Sequence, residues 1–334
     1  MTANSKIEWT DHTFNPWIGC TKVSPACDHC YAERSTPSRT LGVEWGPHAK
    51  RHRTTPSNWA MPKRWNAQAE AFHAQHGRRQ RVFCASLADV FDNQVPDAWR
   101  ADLFALIEAT PNLDWLLLTK RIGNAKDMMF IARGGHLPLL SNVWLGATIC
   151  NQEEADRDIP KLQDTPAAVR FLSMEPLLGP VWLGNDGHGR FGGISRAGGD
   201  GDWTYYDHPL NGKRSTKCGE YPVPRIDWVI VGGESGPGAR PMLSDWARSL
   251  RDQCAAAGVP FHFKQHGEWV DASTAAFGRT EGTELRYLRS DGSEARRGDP
   301  GWSDENADVT TMSRVGKKAA GRQLDGVEHN GAPS

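Results

Sequence analysis

Long apolar runs are missing from this chain of 334 residues. None approaches the roughly 20 residues that a helix needs to cross a bilayer. The opening Met-Thr-Ala-Asn-Ser-Lys-Ile-Glu-Trp also lacks the apolar centre of a secretory signal. Net charge is close to absent, at −1, so the field of the whole molecule says nothing about nucleic acid. Cysteines number seven, an odd count that does not suit a secreted disulfide framework. These absences predict a cytoplasmic protein with no membrane partner, whose thiols stay reduced and available to a metal. The length allows one large α/β domain or two smaller ones.

Three of the seven cysteines crowd into one stretch, Cys20-Thr-Lys-Val-Ser-Pro-Ala-Cys27-Asp-His-Cys30. The pair Cys27 and Cys30 puts two sulfurs on one tight loop, and the turn at Pro25 brings in the third. Three thiolates around a metal that prefers four ligands leave one position open for a substrate or cofactor. The sharp reading is a [4Fe–4S] cluster with one iron unligated by protein. A structural zinc with His12 or His29 as its fourth ligand, or cysteines with no metal, are the blander readings. Cys84, Cys150, Cys218 and Cys254 are scattered, and Cys84 and Cys254 fall in apolar periodic segments where cysteine serves as a small hydrophobe.

Strand-like and helix-like segments alternate along the chain. Strands are predicted at 13–18, 81–86, 114–119, 142–148, 169–174, 227–231 and 259–264. The apolar run at 114–119 is of the kind buried on both faces of a parallel sheet. Helices are predicted after Pro96, where Trp99, Leu103, Leu106 and Ile107 repeat on one face, near 124–132, and from Ser244 as N-cap to Gly258. A further helix at 152–165 is expected to break at Pro160. Seven strands with helices between them predict an α/β fold around a parallel sheet, either a (βα) barrel or partial TIM-like barrel or an open sheet. The barrel-like domain spans 1–269, with a basic insertion at 31–80 and a Gly-rich one at 183–222. A loose extension follows at 270–334, with a short hairpin and one helix.

Polar residues gather where the predicted strands end: Ser86 and Asp89, Thr119, Lys120 and Arg121, Thr148, Ser173 and Glu175, then Gly232, Gly233 and Glu234. In parallel α/β folds those carboxyl ends face the active site. The cysteine loop follows the first strand, so it belongs to the same rim. Each residue also has a plain reading. Gly232 and Gly233 can simply make a turn, Glu175 can face solvent at a strand end, and Lys120 and Arg121 can be salt-bridged loop residues. Residues 45–81 carry +7, leaving −8 for the rest, and Trp45, Trp59 and Trp65 interleave with the cations. That mixture can stack bases and neutralise phosphates, or it can be a solvated face folded over the barrel.

The open cysteine loop after the first strand resembles the radical S-adenosylmethionine superfamily, with a C-x6-C-x2-C spacing where that superfamily usually has C-x3-C-x2-C. The whole chain is similar to a phage and prophage family known for a three-cysteine motif. The stretches that carry this likeness are Asn15-Pro-Trp-Ile-Gly-Cys20, Leu118-Thr-Lys-Arg121, Trp144-Leu-Gly-Ala-Thr148, Ser173-Met-Glu-Pro-Leu-Leu178, Val231-Gly-Gly-Glu-Ser-Gly236, Phe263-Lys-Gln-His266 and Gly316-Lys-Lys-Ala-Ala-Gly-Arg322. A looser similarity reaches spore photoproduct lyase. The resemblance implies a barrel of the radical type, a [4Fe–4S] cluster on Cys20, Cys27 and Cys30, and S-adenosylmethionine cleaved to a 5′-deoxyadenosyl radical. It further implies a reductase or flavodoxin-type electron donor and a nucleotide or nucleic-acid base as substrate. Lys120 and Glu175 would be catalytic, and Ser86, Asp89, Thr119, Thr148, Ser173, Gly232, Gly233 and Glu234 would hold cofactor. The Gly-Gly-Glu that the superfamily carries after strand two appears here only after strand six, with Ser86 and Asp89 in its place. The competing expectation is a zinc-stabilised α/β protein that binds nucleic acid without redox catalysis. A third is a hydrolase or transferase with a nucleotide at 232–236.

Overall fold

The computed structural model describes residues 5, 7–184, 194–197, 204–216, 219–273, 283–296 and 308–333. Seven strands form the main sheet: β1 (His12–Thr13), β2 (Gln80–Cys84), β3 (Leu113–Thr119), β4 (Val143–Thr148), β5 (Val169–Met174), β6 (Trp228–Gly232) and β7 (Phe261–Gln265). They lie in the sheet in the order in which they occur in the chain. That sequential order is consistent with a partial (βα) barrel, and the fold is α/β. Among the described residues, the helices α1 (Asp97–Glu108), α2 (Ile122–Ala132), α3 (Gln152–Gln163) and α4 (Ser244–Ala257) lie between successive strands.

The chain divides into two compact units, 1–148 with 158–172, and 149–157 with 173–333. In the first, β1 to β4 pair in parallel, with His12 opposite Val82, Val82 opposite Trp115 and Trp115 opposite Val143. Every residue of β2 and β4 is buried, and all of β3 except Leu118, as covered parallel strands require. Gly146 on β4 has no side chain because the Phe171 ring occupies the space, 2.3 Å from where a Cβ would stand. In the second unit β6 and β7 pair in parallel, Val229 opposite Phe261, and α4 lays Trp246, Leu250 and Cys254 into the core.

Three local expectations shift. The predicted strand 13–18 is two short pieces. His12–Thr13 joins the sheet, while Trp17–Ile18 pairs antiparallel with His52–Arg53 of the insertion. Pro16 lies between them; it has no N–H for a ladder, and its carbonyl accepts from Thr54 instead. Helix α3 runs through Pro160 without a break, because Ala155, Ile159 and Leu162 are fully buried and the Asp164 amide closes the last turn on the Pro160 carbonyl. Leu243, not Ser244, is the N-cap of α4, and it is buried, so packing sets that start.

The basic segment folds into the short helices Thr36–Thr40, Pro56–Trp59, Met61–Ala67 and Ala69–His76. Among the described residues of the Gly-rich stretch, Ile194–Ala197, Thr204–His208, Lys213–Thr216 and Gly219–Pro222 form a four-stranded antiparallel sheet. The C-terminal stretch builds a three-stranded sheet from Trp269–Asp271, Leu285–Arg289 and Val309–Arg314, followed by the helix Lys317–Ala320. Among the described residues no helix is long and apolar enough to cross a membrane.

Candidate functional site

Chain that leaves Trp17–Ile18 enters the cysteine loop directly. Gly19 sits at φ 109° and its amide bonds the Leu87 carbonyl, so the loop starts against the segment that follows β2. Glycine is suited to this backbone conformation. Ser24 caps a single 3-10 turn, Pro25–Cys27, and the Cys30 amide closes on the Cys27 carbonyl at 3.3 Å. Tyr31 donates its hydroxyl to the Ser86 carbonyl at 3.0 Å and fastens the far end of the loop. Cys20, Cys27 and Cys30 are all free thiols; Cys27 is buried and the other two are half-buried.

Thr21 is clamped by two arginines. Arg51 donates to its hydroxyl at 2.7 Å and Arg121 to its carbonyl at 2.6 Å. Arg51 is fully buried and paired with Asp92 at 2.7 Å. Arg121 belongs to the loop after β3, and its Nη1 reaches both the Cys20 sulfur, at 3.3 Å, and Asp89 Oδ2, at 3.1 Å. Burial and the Asp89 carboxylate push the Cys20 thiol up to about 12, against the pull of Arg121. For Arg121 burial works against the charge, but Asp89 and Cys20 outweigh it and raise its pKa.

Asp89, expected to hold cofactor, accepts four hydrogen bonds within the chain. Its Oδ1 accepts from Thr119 Oγ1 at 2.7 Å and from the Phe91 amide at 2.9 Å, and its Oδ2 accepts from the Lys120 amide and Arg121, both at 3.1 Å. Thr119 and Asp89 are thereby tied to the Arg121 loop. Ser86 is bonded by Asn15 at 3.0 Å. Thr148, at the end of β4, differs: its hydroxyl is buried and has no hydrogen-bond partner in the structure. A buried hydroxyl with no partner is an unmet demand that a bound group can satisfy.

In the second unit the carboxyl ends of β5, β6 and β7 carry their own cluster. Lys264 Nζ bonds both Glu175 oxygens, at 2.6 and 2.9 Å, and Gln265 approaches at 3.4 Å. β6 lies between β5 and β7 in the sheet, and Gly232 on it leaves the room, with its missing Cβ 3.4 Å from the Glu175 carboxyl. Gly233 answers to packing, since a Cβ there would lie 2.0 Å from the His266 carbonyl. Glu234 grips Arg240 with both oxygens, and Ser173 is buried with its carbonyl bonded to the Ile149 amide. Nothing in the sequence marks Lys264 and Gln265 as site residues. Their place beside Glu175 depends on which strands become neighbours.

Cys84, Cys150, Cys254, His12 and His262 are buried among core residues. Burial raises the Cys84 thiol and pushes Cys254 up to about 12. Cys150 is buried, and Cys218 lies outside the described residues. His12 stacks on Trp65 and bonds Gln80 at 2.6 Å. Several cations of the basic segment are also spent internally. Arg51, Arg53, Arg78 and Arg79 pair with Asp92, Asp102, Asp11 and Asp114, and Arg81 lies over the Trp144 ring.

Among the described residues no three His, Cys, Asp or Glu side chains stand gathered as a metal cage. The donor set nevertheless fits a thiolate-held centre. Three free thiols share one loop, and one sulfur already accepts a hydrogen bond from a guanidinium, as metal-bound thiolates do from their surroundings. A family model described as "Protein of unknown function (DUF5131)" matches residues 4–333. The chain belongs to the DUF5131 family. No curated protein and no solved structure matches it.

Proposed function

We propose that this DUF5131 protein is an iron–sulfur enzyme of the radical S-adenosylmethionine type, with Cys20, Cys27 and Cys30 as the ligands of a [4Fe–4S] cluster. One observation carries the reading: three free thiols on a single loop that opens at the carboxyl-end rim of β2 and β3, one of them held by Arg121. When bound, the cluster supplies the electron that cleaves S-adenosylmethionine and so starts hydrogen abstraction from substrate. The chain's own part is to hold and orient. The double clamp on Thr21 fixes the Cys20 end of the loop, and the short turn at Pro25–Cys27 carries Cys27, with Cys30 three residues on. The unsatisfied Thr148 hydroxyl offers a hydrogen bond to a ligand at the same strand ends. The thiols need a reducing compartment, in keeping with the cytoplasm.

The substrate class we propose is a nucleotide or nucleic-acid base. Its support is a surface cavity of about 320 Å³ walled by Arg53, Thr54, Pro56, Trp59, Ala60 and Lys63, in which the Lys63 cation and the Trp59 indole share the lining.

Anaerobic purification with iron, sulfide and zinc analysis tests the reading. About four irons and a broad absorption near roughly 400 nm, both lost in Cys20→Ala, are expected. Added S-adenosylmethionine and dithionite should then yield 5′-deoxyadenosine. A colourless protein with about one zinc, indifferent to air, would overturn it.

A further inference from the structure

The contact between Arg121 and Cys20 has a consequence for whatever centre the loop holds. The guanidinium and the Asp89 carboxylate are both buried, with side chains 9% and 6% exposed, so their charges act with little screening by water. One Arg121 nitrogen, Nη1, serves both the Cys20 sulfur and Asp89. Thr119 fixes the arrangement, its hydroxyl donating to Asp89 and accepting from the Arg121 amide at 2.8 Å. Because Nη2 is tied to the Thr21 carbonyl, the fork cannot swing away without releasing the loop.

We propose that Arg121, oriented by Asp89, is a positioning residue that sets the reduction potential of the centre ligated by Cys20. The proposal rests on the iron–sulfur reading above and goes beyond it by assigning the control of that centre to a named ion pair. Reduction adds one electron, taken from the donor, and hence one negative charge to the cluster and its thiolates. A fixed positive charge and an N–H···S bond stabilise the reduced form and raise the potential, while a nearby carboxylate lowers it. The two partners of one salt bridge therefore push in opposite directions.

The test is a dithionite redox titration of the reconstituted full-length protein, followed by absorption and electron paramagnetic resonance. Wild type, Arg121→Gln, Arg121→Lys and Asp89→Asn are compared, with iron content and far-ultraviolet circular dichroism as checks on loading and fold. Arg121→Gln should lower the midpoint, so that the ratio of reduced to oxidised cluster at the wild-type midpoint falls about tenfold, about 59 mV for a one-electron couple. Asp89→Asn should raise it, and Arg121→Lys, which keeps the charge, should stay nearer wild type than Arg121→Gln. Shifts of the same sign in Arg121→Gln and Asp89→Asn, or no shift in either, overturn the proposal. So does an Arg121→Lys shift equal to that of Arg121→Gln. If Arg121→Gln fails to load iron, Asp89→Asn decides alone, and an unchanged or lowered midpoint overturns it. A wild-type protein that binds no iron–sulfur cluster defeats the underlying reading instead, before any variant is made.

Discussion

Thr21 shows how little of the cysteine loop is held by the cysteines themselves. Its hydroxyl receives Arg51 and its carbonyl receives Arg121, so two buried cations from different parts of the chain meet on one small residue. Arg51→Met would leave Asp92 buried without its partner, and breaking such a pair costs about 3–5 kcal/mol. Chemical denaturation should show that loss in the first unit. His262 makes a different prediction. It is 4% exposed, and burial, with the charges of Arg322 and Lys264, depresses its pKa to about 4 from 6.5. The fold thus favours the neutral ring. The stability this contributes is complete above pH 6.5 and is lost as the pH falls through 4. The loss is about 3 kcal/mol across that window. Denaturant midpoints followed from pH 7 to pH 4 should decline, and His262→Phe should flatten the decline.

At the scale of the element, β4 is governed by what it lacks. Gly146→Ala would place a Cβ about 2.3 Å from the Phe171 ring, and overpacking of that kind costs about 1–3 kcal/mol. Thermal unfolding should register it, and Phe171→Leu in the same chain should recover part of the loss. An uncoupled pair would mean the glycine has some other reason. β6 works the same way in the second unit. Gly232 is the gap across which Glu175 and Lys264 meet, so Gly232→Val should disturb that ion pair while leaving unchanged the iron content expected from the proposed cluster. Much of this level was legible in advance. The apolar runs marked β3 and β6, and the repeat of Trp99, Leu103, Leu106 and Ile107 marked α1. What escaped was decided by neighbours. Pro160 stays inside α3 because the buried face of that helix outweighs one missing hydrogen bond, and no local rule carries that comparison.

For the whole molecule, the proposed cluster would act as a ligand of the folded state. Anaerobic loading is expected to raise the thermal midpoint, chelation to lower it, and Cys20→Ala, Cys27→Ala and Cys30→Ala each to abolish the difference. Cys254→Ala should leave the iron content unchanged, since its sulfur is packed in the core. Scanning calorimetry of loaded and stripped protein reads both outcomes.

The sequence by itself determined the α/β class, the number of main strands, and the confinement of three thiols to eleven residues, because hydrophobic period and cysteine spacing are local properties of the chain. The tertiary structure alone decided which polar strand ends have work to do inside the protein. It joined Asp89 to Arg121 and Arg121 to Cys20 across about a hundred residues, took Glu234 for Arg240, and set Lys264 against Glu175. It also neutralised much of a basic segment with acids drawn from outside it. A charge is counted along the chain, but whether it is free depends on what packs against it. Only the fold supplies that.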